Sequence, residues 1–191
     1  MGNGLGLTAE KIRAIASDLV DHLRVELTDT SDRRGWTDKN IYALQSFNPE
    51  GFALECSPWS AADGSDARGE FLWDFTSNVK GTGLLIAVES EWRNEIDEIR
   101  RDFKKLLYVR SPIKLMICRV DEKKVFGACI CDELFKCMKD ECSEFVPGEL
   151  FIIYCRKWSN DDGSNGDIVF QLQIEGEPVH RCITAETFAA L

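Results

Sequence analysis

Apolar residues recur at intervals of three and four between Thr8 and Leu27, at Ile12, Ile15, Ala16, Leu19, Leu23 and Leu27. That spacing marks one buried face of a helix, and Thr8 suits its N-cap. Residues 28–50 are polar and punctuated, with one further helical turn expected from Asn40 to Phe47. Three apolar runs follow, GFALECS at 51–57, GEFLWDFT at 69–76 and GLLIAVESEW at 83–92, divided by SPWSAADGSDARG and by a turn at SNVKGTG. Bounded by Gly, Ser, Asp and Pro, each run reads as a strand. A second helix is expected from Asn94 to Tyr108, with Ile96, Ile99, Phe103, Leu106 and Leu107 on one face, and Ser111 and Pro112 stop it. IKLMICRV at 113–120 is a fourth, buried strand. Residues 121–145 read as mostly helical, with Gly127 as an interruption, before two late strands, GELFIIYCRKW and GDIVFQLQIEG, joined by the turn-rich SNDDGSN.

The chain of 191 residues fits a single domain spanning 1–191, since domains commonly run to about 100–200 residues. With no internal repeat, the order helix, three strands, helix, strand predicts an α/β fold with a mixed central sheet flanked by helices. The late helix and strands are additions to it. The net charge of −10 excludes a surface that grips a polyanion everywhere, so contact with nucleic acid must be local. Residues 92–124 supply such a patch, with ten basic and six acidic side chains, net +4, against −14 for the remainder. A solvated helix face of mixed charge reads the same way.

No apolar stretch reaches the roughly 18 residues of a membrane span, and the N-terminus lacks the blocks of a signal peptide. A soluble, cytoplasmic chain is expected, with no membrane contact. Gly2 is followed by Gly6 where a myristoylation signal has Ser or Thr, so lipidation is discounted. Eight cysteines scattered through strand-like and helix-like runs read as reduced core thiols. Cys129, Cys131, Cys137 and Cys142 lack paired spacing, and neither His22 nor His180 is close in sequence, which argues against zinc. NDDGSNGD at 160–167 lacks the terminal Glu of a calcium loop and reads as a hairpin turn. With two His and no nucleophile elbow, a hydrolase built on a Cys or Ser nucleophile is disfavoured.

The third apolar run ends in Glu89 and Glu91 with Ser90 between them. Strand residues two apart share a face, so both acids project together. Like charges about 4 Å apart repel by about 4 kcal/mol at an effective dielectric of about 20, so the pair calls for a cation, a proton or open water. Arg93, Arg100 and Arg101 are near enough in sequence to be simple ion-pair partners. Fifteen residues before Glu89 stands Asp74, preceded by Trp73, on the second strand. Glu26 is the odd residue of the first helix, within about 20° of Leu19 on the apolar stripe at about 100° per residue. A frayed last turn that leaves Glu26 in water is the plainer account of it.

Asp74, Glu89-Ser90-Glu91 and the following DFKKLL at 102–107, set in this element order, resemble the PD-(D/E)xK phosphodiesterase superfamily over residues 8–120. The resemblance implies a restriction-endonuclease-like αβββαβ core and a metal-dependent nuclease that hydrolyses nucleic acid, DNA foremost, as a monomer or a homodimer. Glu91 stands where most members have Lys, a variant that some restriction enzymes carry; Lys80 and Lys105 are the nearest lysines that could replace it. On this resemblance Asp74 and Glu89 supply carboxylate oxygens to Mg²⁺ or Mn²⁺, the Ser90 carbonyl a further ligand, and Glu26 joins through a metal-bound water. Glu91 orients or deprotonates the attacking water. The ions neutralise the phosphodiester, whose charge otherwise repels the nucleophile. The alternative is a catalytically silent member of the same fold that serves as an interaction or accessory module.

Overall fold

The computed structural model describes residues 5–27, 36–58, 73–93, 95–120, 127–141, 149–157, 168–175 and 177–182. These form four helices and one mixed seven-stranded sheet: α1 (Ala9–Glu26), α2 (Trp36–Ser46), β1 (Leu54–Pro58), β2 (Phe75–Val79), β3 (Gly83–Glu91), α3 (Ile96–Tyr108), β4 (Ile113–Val120), α4 (Gly127–Glu141), β5 (Leu150–Lys157), β6 (Ile168–Glu175) and β7 (Glu177–Cys182). The strands lie in chain order. β1, β2 and β3 are antiparallel, β3, β4 and β5 are parallel, and β5, β6 and β7 are antiparallel again. Parallel neighbours need long crossovers, and α3 and α4 provide them.

Two cores form, one on each face. Ile12, Leu19 and Leu23 of α1 and Ile41 and Leu44 of α2 bury against Ile86, Val88, Leu115, Ile117 and Ile152. Ile99, Phe103 and Leu106 of α3 and Ile130, Leu134 and Met138 of α4 bury against Ala87, Met116, Phe151 and Ile153. Coverage of both faces explains why the runs of β3, β4 and β5 are continuously apolar rather than alternating. No described helix is long and apolar enough to cross a membrane.

Thr8 caps α1 as expected, its hydroxyl accepting from the Lys11 N–H at 3.2 Å. Other boundaries differ from the sequence reading. α2 runs for three turns instead of one, because Asn40, Ile41, Ala43, Leu44 and Phe47 all enter the core and its packing outweighs the polar stretch around them. The second strand begins at Phe75, so Asp74 lies just ahead of β2 rather than on it, and residues 69–72 fall outside the described set. Ser77, Asn78 and Val79, expected in a turn, continue β2, since pairing to both β1 and β3 overrides the weak strand preference of Asn78, and Val79 favours the strand. An irregularity between Ser77 and Asn78 absorbs the mismatch, and the turn shifts to 80–82, where Gly81 takes φ 73°.

α3 starts at Ile96, two residues later than expected, and α4 covers Gly127–Glu141, the part of the expected 121–145 helix that lies within the described residues. β7 was not expected from the sequence. Its Pro178 is tolerated because β7 is a sheet edge. The loop at 160–167 and the side chains of Cys129, Cys142 and His180 lie outside the described residues; Cys131 and Cys137 are buried.

Candidate functional site

β2 pairs with β3 only as far as Phe75 opposite Val88. Beyond that point Glu89, Ser90 and Glu91 remain in the sheet through β4 alone, opposite Met116, Ile117 and Cys118. The β3 edge that β2 has left takes up Asp74, whose Oδ2 accepts from the Ser90 N–H at 2.8 Å. A strand residue directs its N–H and C=O to the same edge, so the Ser90 carbonyl faces the side from which Asp74 approaches.

Glu89 follows the buried run without a break and is itself 0% exposed. Burial, and next the charge of Asp74, push its pKa from an ordinary 4.5 to about 9, although Lys105 pulls the other way. Its Oε2 accepts from the Lys105 ammonium at 3.1 Å, while Oε1 is buried with no hydrogen-bond partner. Burial also raises the pKa of Asp74, against the Ser90 N–H and Lys105. Glu91, half-buried, is pushed to about 7 by burial and by the neighbouring Asp102; its Oε1 accepts from the Arg93 N–H at 2.7 Å.

Lys105 comes from α3. Its ammonium bridges Glu89 and, at 2.7 Å, Asp102 one turn earlier. Burial opposes its charge, but Asp102 and Glu89 more than offset this, and its pKa is raised. The Trp73 indole N–H, donating to the Lys105 carbonyl at 3.4 Å, ties the Asp74 segment to the same helix.

The guanidiniums near enough in sequence to pair with the strand-end acids form their ion pairs elsewhere, although the Arg93 charge still lowers the Glu91 pKa. Arg93 pairs with Glu98 at 3.9 Å, Arg101 with Glu98 at 2.6 Å, and Arg100 with Asp97 and Glu133. Lys80 sits in the turn at the opposite end of β3. Glu26 is exposed at the end of α1, whose core residues pack on the other face of the sheet, and no interaction among the described residues joins it to Asp74, Glu89 or Glu91. The structure thus brings together Asp74, Glu89, Ser90 and Glu91 and leaves Glu26 apart.

Ser90 is anchored from that other face. Its hydroxyl accepts from the Asn40 amide at 2.8 Å, the Asn40 carbonyl oxygen accepts from Arg156 at 3.0 Å, and Arg156 also donates to the Leu27 carbonyl at 2.8 Å. Asn40 and Arg156 are both fully buried, so a polar chain runs from the end of α1 through β5 and α2 to the middle of the acidic motif. Sequence reasoning missed Asp102, Asn40 and Arg156. The signal for Asp102 was its spacing of three from Lys105, flanking the Ile99–Phe103–Leu106 stripe.

Among the described residues no group of three or more His, Cys, Asp or Glu side chains stands ready to hold a metal ion. Mg²⁺ needs less than that, because it keeps several waters and binds through one or two carboxylates. Asp74 and Glu89 fit such an ion in two respects: the charge of Asp74 raises the cost of charge on Glu89, and one buried Glu89 oxygen lacks a partner. No protein-family model, curated protein or solved structure matches this chain.

Proposed function

We propose that this chain is a metal-dependent phosphodiester hydrolase acting on nucleic acid, of restriction-endonuclease-like architecture, with Lys105 taking the part of the lysine that the motif lacks at Glu91. The observation that carries the reading is the unpartnered, buried Oε1 of Glu89 beside Asp74. A buried carboxyl oxygen without a partner is costly, and a divalent cation removes that cost. On this reading Asp74, Glu89 and the Ser90 carbonyl hold Mg²⁺ or Mn²⁺, which when bound neutralises the phosphate and lowers the pKa of water. Glu91, with a pKa near 7, accepts the proton of the attacking water, since a base works best when its pKa lies near the working pH. Lys105 donates hydrogen bonds to a phosphate oxygen as negative charge develops there. Asp102 keeps Lys105 charged and aimed.

Isothermal titration with Mn²⁺ tests the reading. Binding by the wild type and its loss in Glu89→Gln is the expected result. Lys105→Met removes a cation that competes for Glu89, so Mn²⁺ is expected to bind about tenfold tighter while cleavage slows by about 10²-fold. A second reading has one observation in its favour: Lys105 already supplies Glu89 with a positive partner. On it the chain is a silent interaction module, and the titration gives no heat with any variant.

A further inference from the structure

We propose that the groove at the carboxyl ends of β3 and β4 seats one unstacked nucleobase of the substrate on Trp92, so that the enzyme acts on single-stranded nucleic acid or on unpaired ends. This inference rests on the hydrolase reading and names its substrate class.

Trp92 directly follows Glu91, at the end of β3, and the residue stays 41% exposed. Phe75 of β2 and Phe103 of α3 are buried, whereas Trp92 lies past the end of β3 and stays exposed. The register that sets Glu91 opposite Cys118 brings Arg119 level with Trp92, and its guanidinium lies 5.8 Å from the ring centroid. Trp92, Arg93, Glu95, Glu98 and Arg119 enclose a depression of about 340 Å³. That is the small end of the roughly 300–1,000 Å³ typical of ligand pockets, a size suited to one base or nucleoside. It also lies outside the carboxyl ends of parallel strands, where open α/β sheets commonly bind ligands.

Charge in the groove suits a nucleotide. Arg93 is 59% exposed at its rim. Glu98 is neutralised by Arg93 and Arg101, so it does not repel a phosphate. Glu95 precedes α3 without capping it through its side chain, which leaves its carboxylate as an acceptor for the exocyclic amino group of a base. A base offers its π-face to a protein ring only when it is unstacked from its neighbours, as in single strands, loops and frayed ends. A phosphate one residue along the strand from that base would then reach Glu91 and the acids behind it.

Fluorescence anisotropy of the full chain in EDTA tests this, with single-stranded DNA, single-stranded RNA and duplex DNA of one mixed sequence as probes. At least one single strand is expected to bind more tightly than the duplex. Trp92→Ala should weaken that binding about tenfold or more, the contribution of one base stacked on an aromatic ring, and Trp92→Phe should retain most of it. Thermal unfolding should be unchanged in both variants. Equal affinity for duplex and single strand, an unaltered affinity in Trp92→Ala, or no strand binding at all overturns the inference, the last in favour of a protein ligand. Mn²⁺ titration of the same samples separates the two levels. Mn²⁺ binding without a Trp92 effect sinks the groove and spares the hydrolase, whereas a Trp92 effect without Mn²⁺ binding does the reverse.

Discussion

Glu89→Gln is expected to lower metal-dependent cleavage by about 10³-fold or more while making the metal-free protein more stable. The loss follows from removing a buried carboxyl oxygen that would hold the ion, at a point of β3 where Glu89 is fully buried. The gain follows from linkage. Unfolded, Glu89 titrates near 4.5; folded, it holds its proton up to about 9. Folding therefore takes up a proton between those pH values. The contribution of this group is fully present below about 4.5 and is lost progressively as pH rises towards 9. At pH 7 the penalty is about 3 kcal/mol, at roughly 1.4 kcal/mol per pH unit. Gln carries no such penalty, so its Tm at pH 7 should exceed that of the wild type by roughly 6–12 °C.

Melting curves in EDTA from pH 5 to 9 read this directly. The wild type should lose stability with rising pH relative to Glu89→Gln, and Mn²⁺ should restore the wild type alone, by about 2.7 kcal/mol at a hundredfold excess over Kd. Parallel pH curves for the two proteins would show that Glu89 is charged and already satisfied, leaving no place for an ion.

Arg156→Met should cause the largest loss of stability at a single position outside the acidic cluster. Arg156 is fully buried between the sheet and α1, and it donates both to the Asn40 side chain and to the Leu27 carbonyl at the end of α1. Met fills most of the volume but donates nothing, so two buried acceptors lose a partner at about 1–3 kcal/mol each. A fall in Tm of roughly 10 °C is expected for a chain of this size. Because Asn40 in turn holds the Ser90 hydroxyl, the cost should couple to the site. Asn40→Ala in the Arg156→Met background should add less than it does in the wild type. A variant within about 1 kcal/mol of the wild type would mean that water replaces the guanidinium and that the buried chain is not structural.

The cluster was partly legible beforehand. Glu89 and Glu91 had to share a face because they are two apart on a strand, and Asp74 stood in the run before them. That Glu89 would be the most perturbed of the three followed less clearly. Its burial depends on α3 and α4 covering that face of the sheet, which no local pattern reveals. Glu26 occupied an apolar-stripe position, yet the helix ends beside it and Leu27 takes the buried place instead. Lys105 could be named as one of two lysines, but choosing it over Lys80 required the turn of α3 against β3.

The sequence by itself determined the helix and strand types over most of the chain and the face on which each acid of the third strand lies. Local periodicity is a property of consecutive residues, and burial of the apolar set enforces it. Only the tertiary structure decided what meets the Glu89-Ser90-Glu91 stretch: Asp74 at an edge that β2 leaves open, Lys105 and Asp102 from a helix, and Asn40, held by Arg156, at the Ser90 hydroxyl from the opposite face. The bonded pairs Asp74–Ser90, Glu89–Lys105, Asn40–Ser90 and Asn40–Arg156 stand 16 to 116 residues apart along the chain, and their meeting is fixed by strand register and crossover geometry, which no short window of residues encodes.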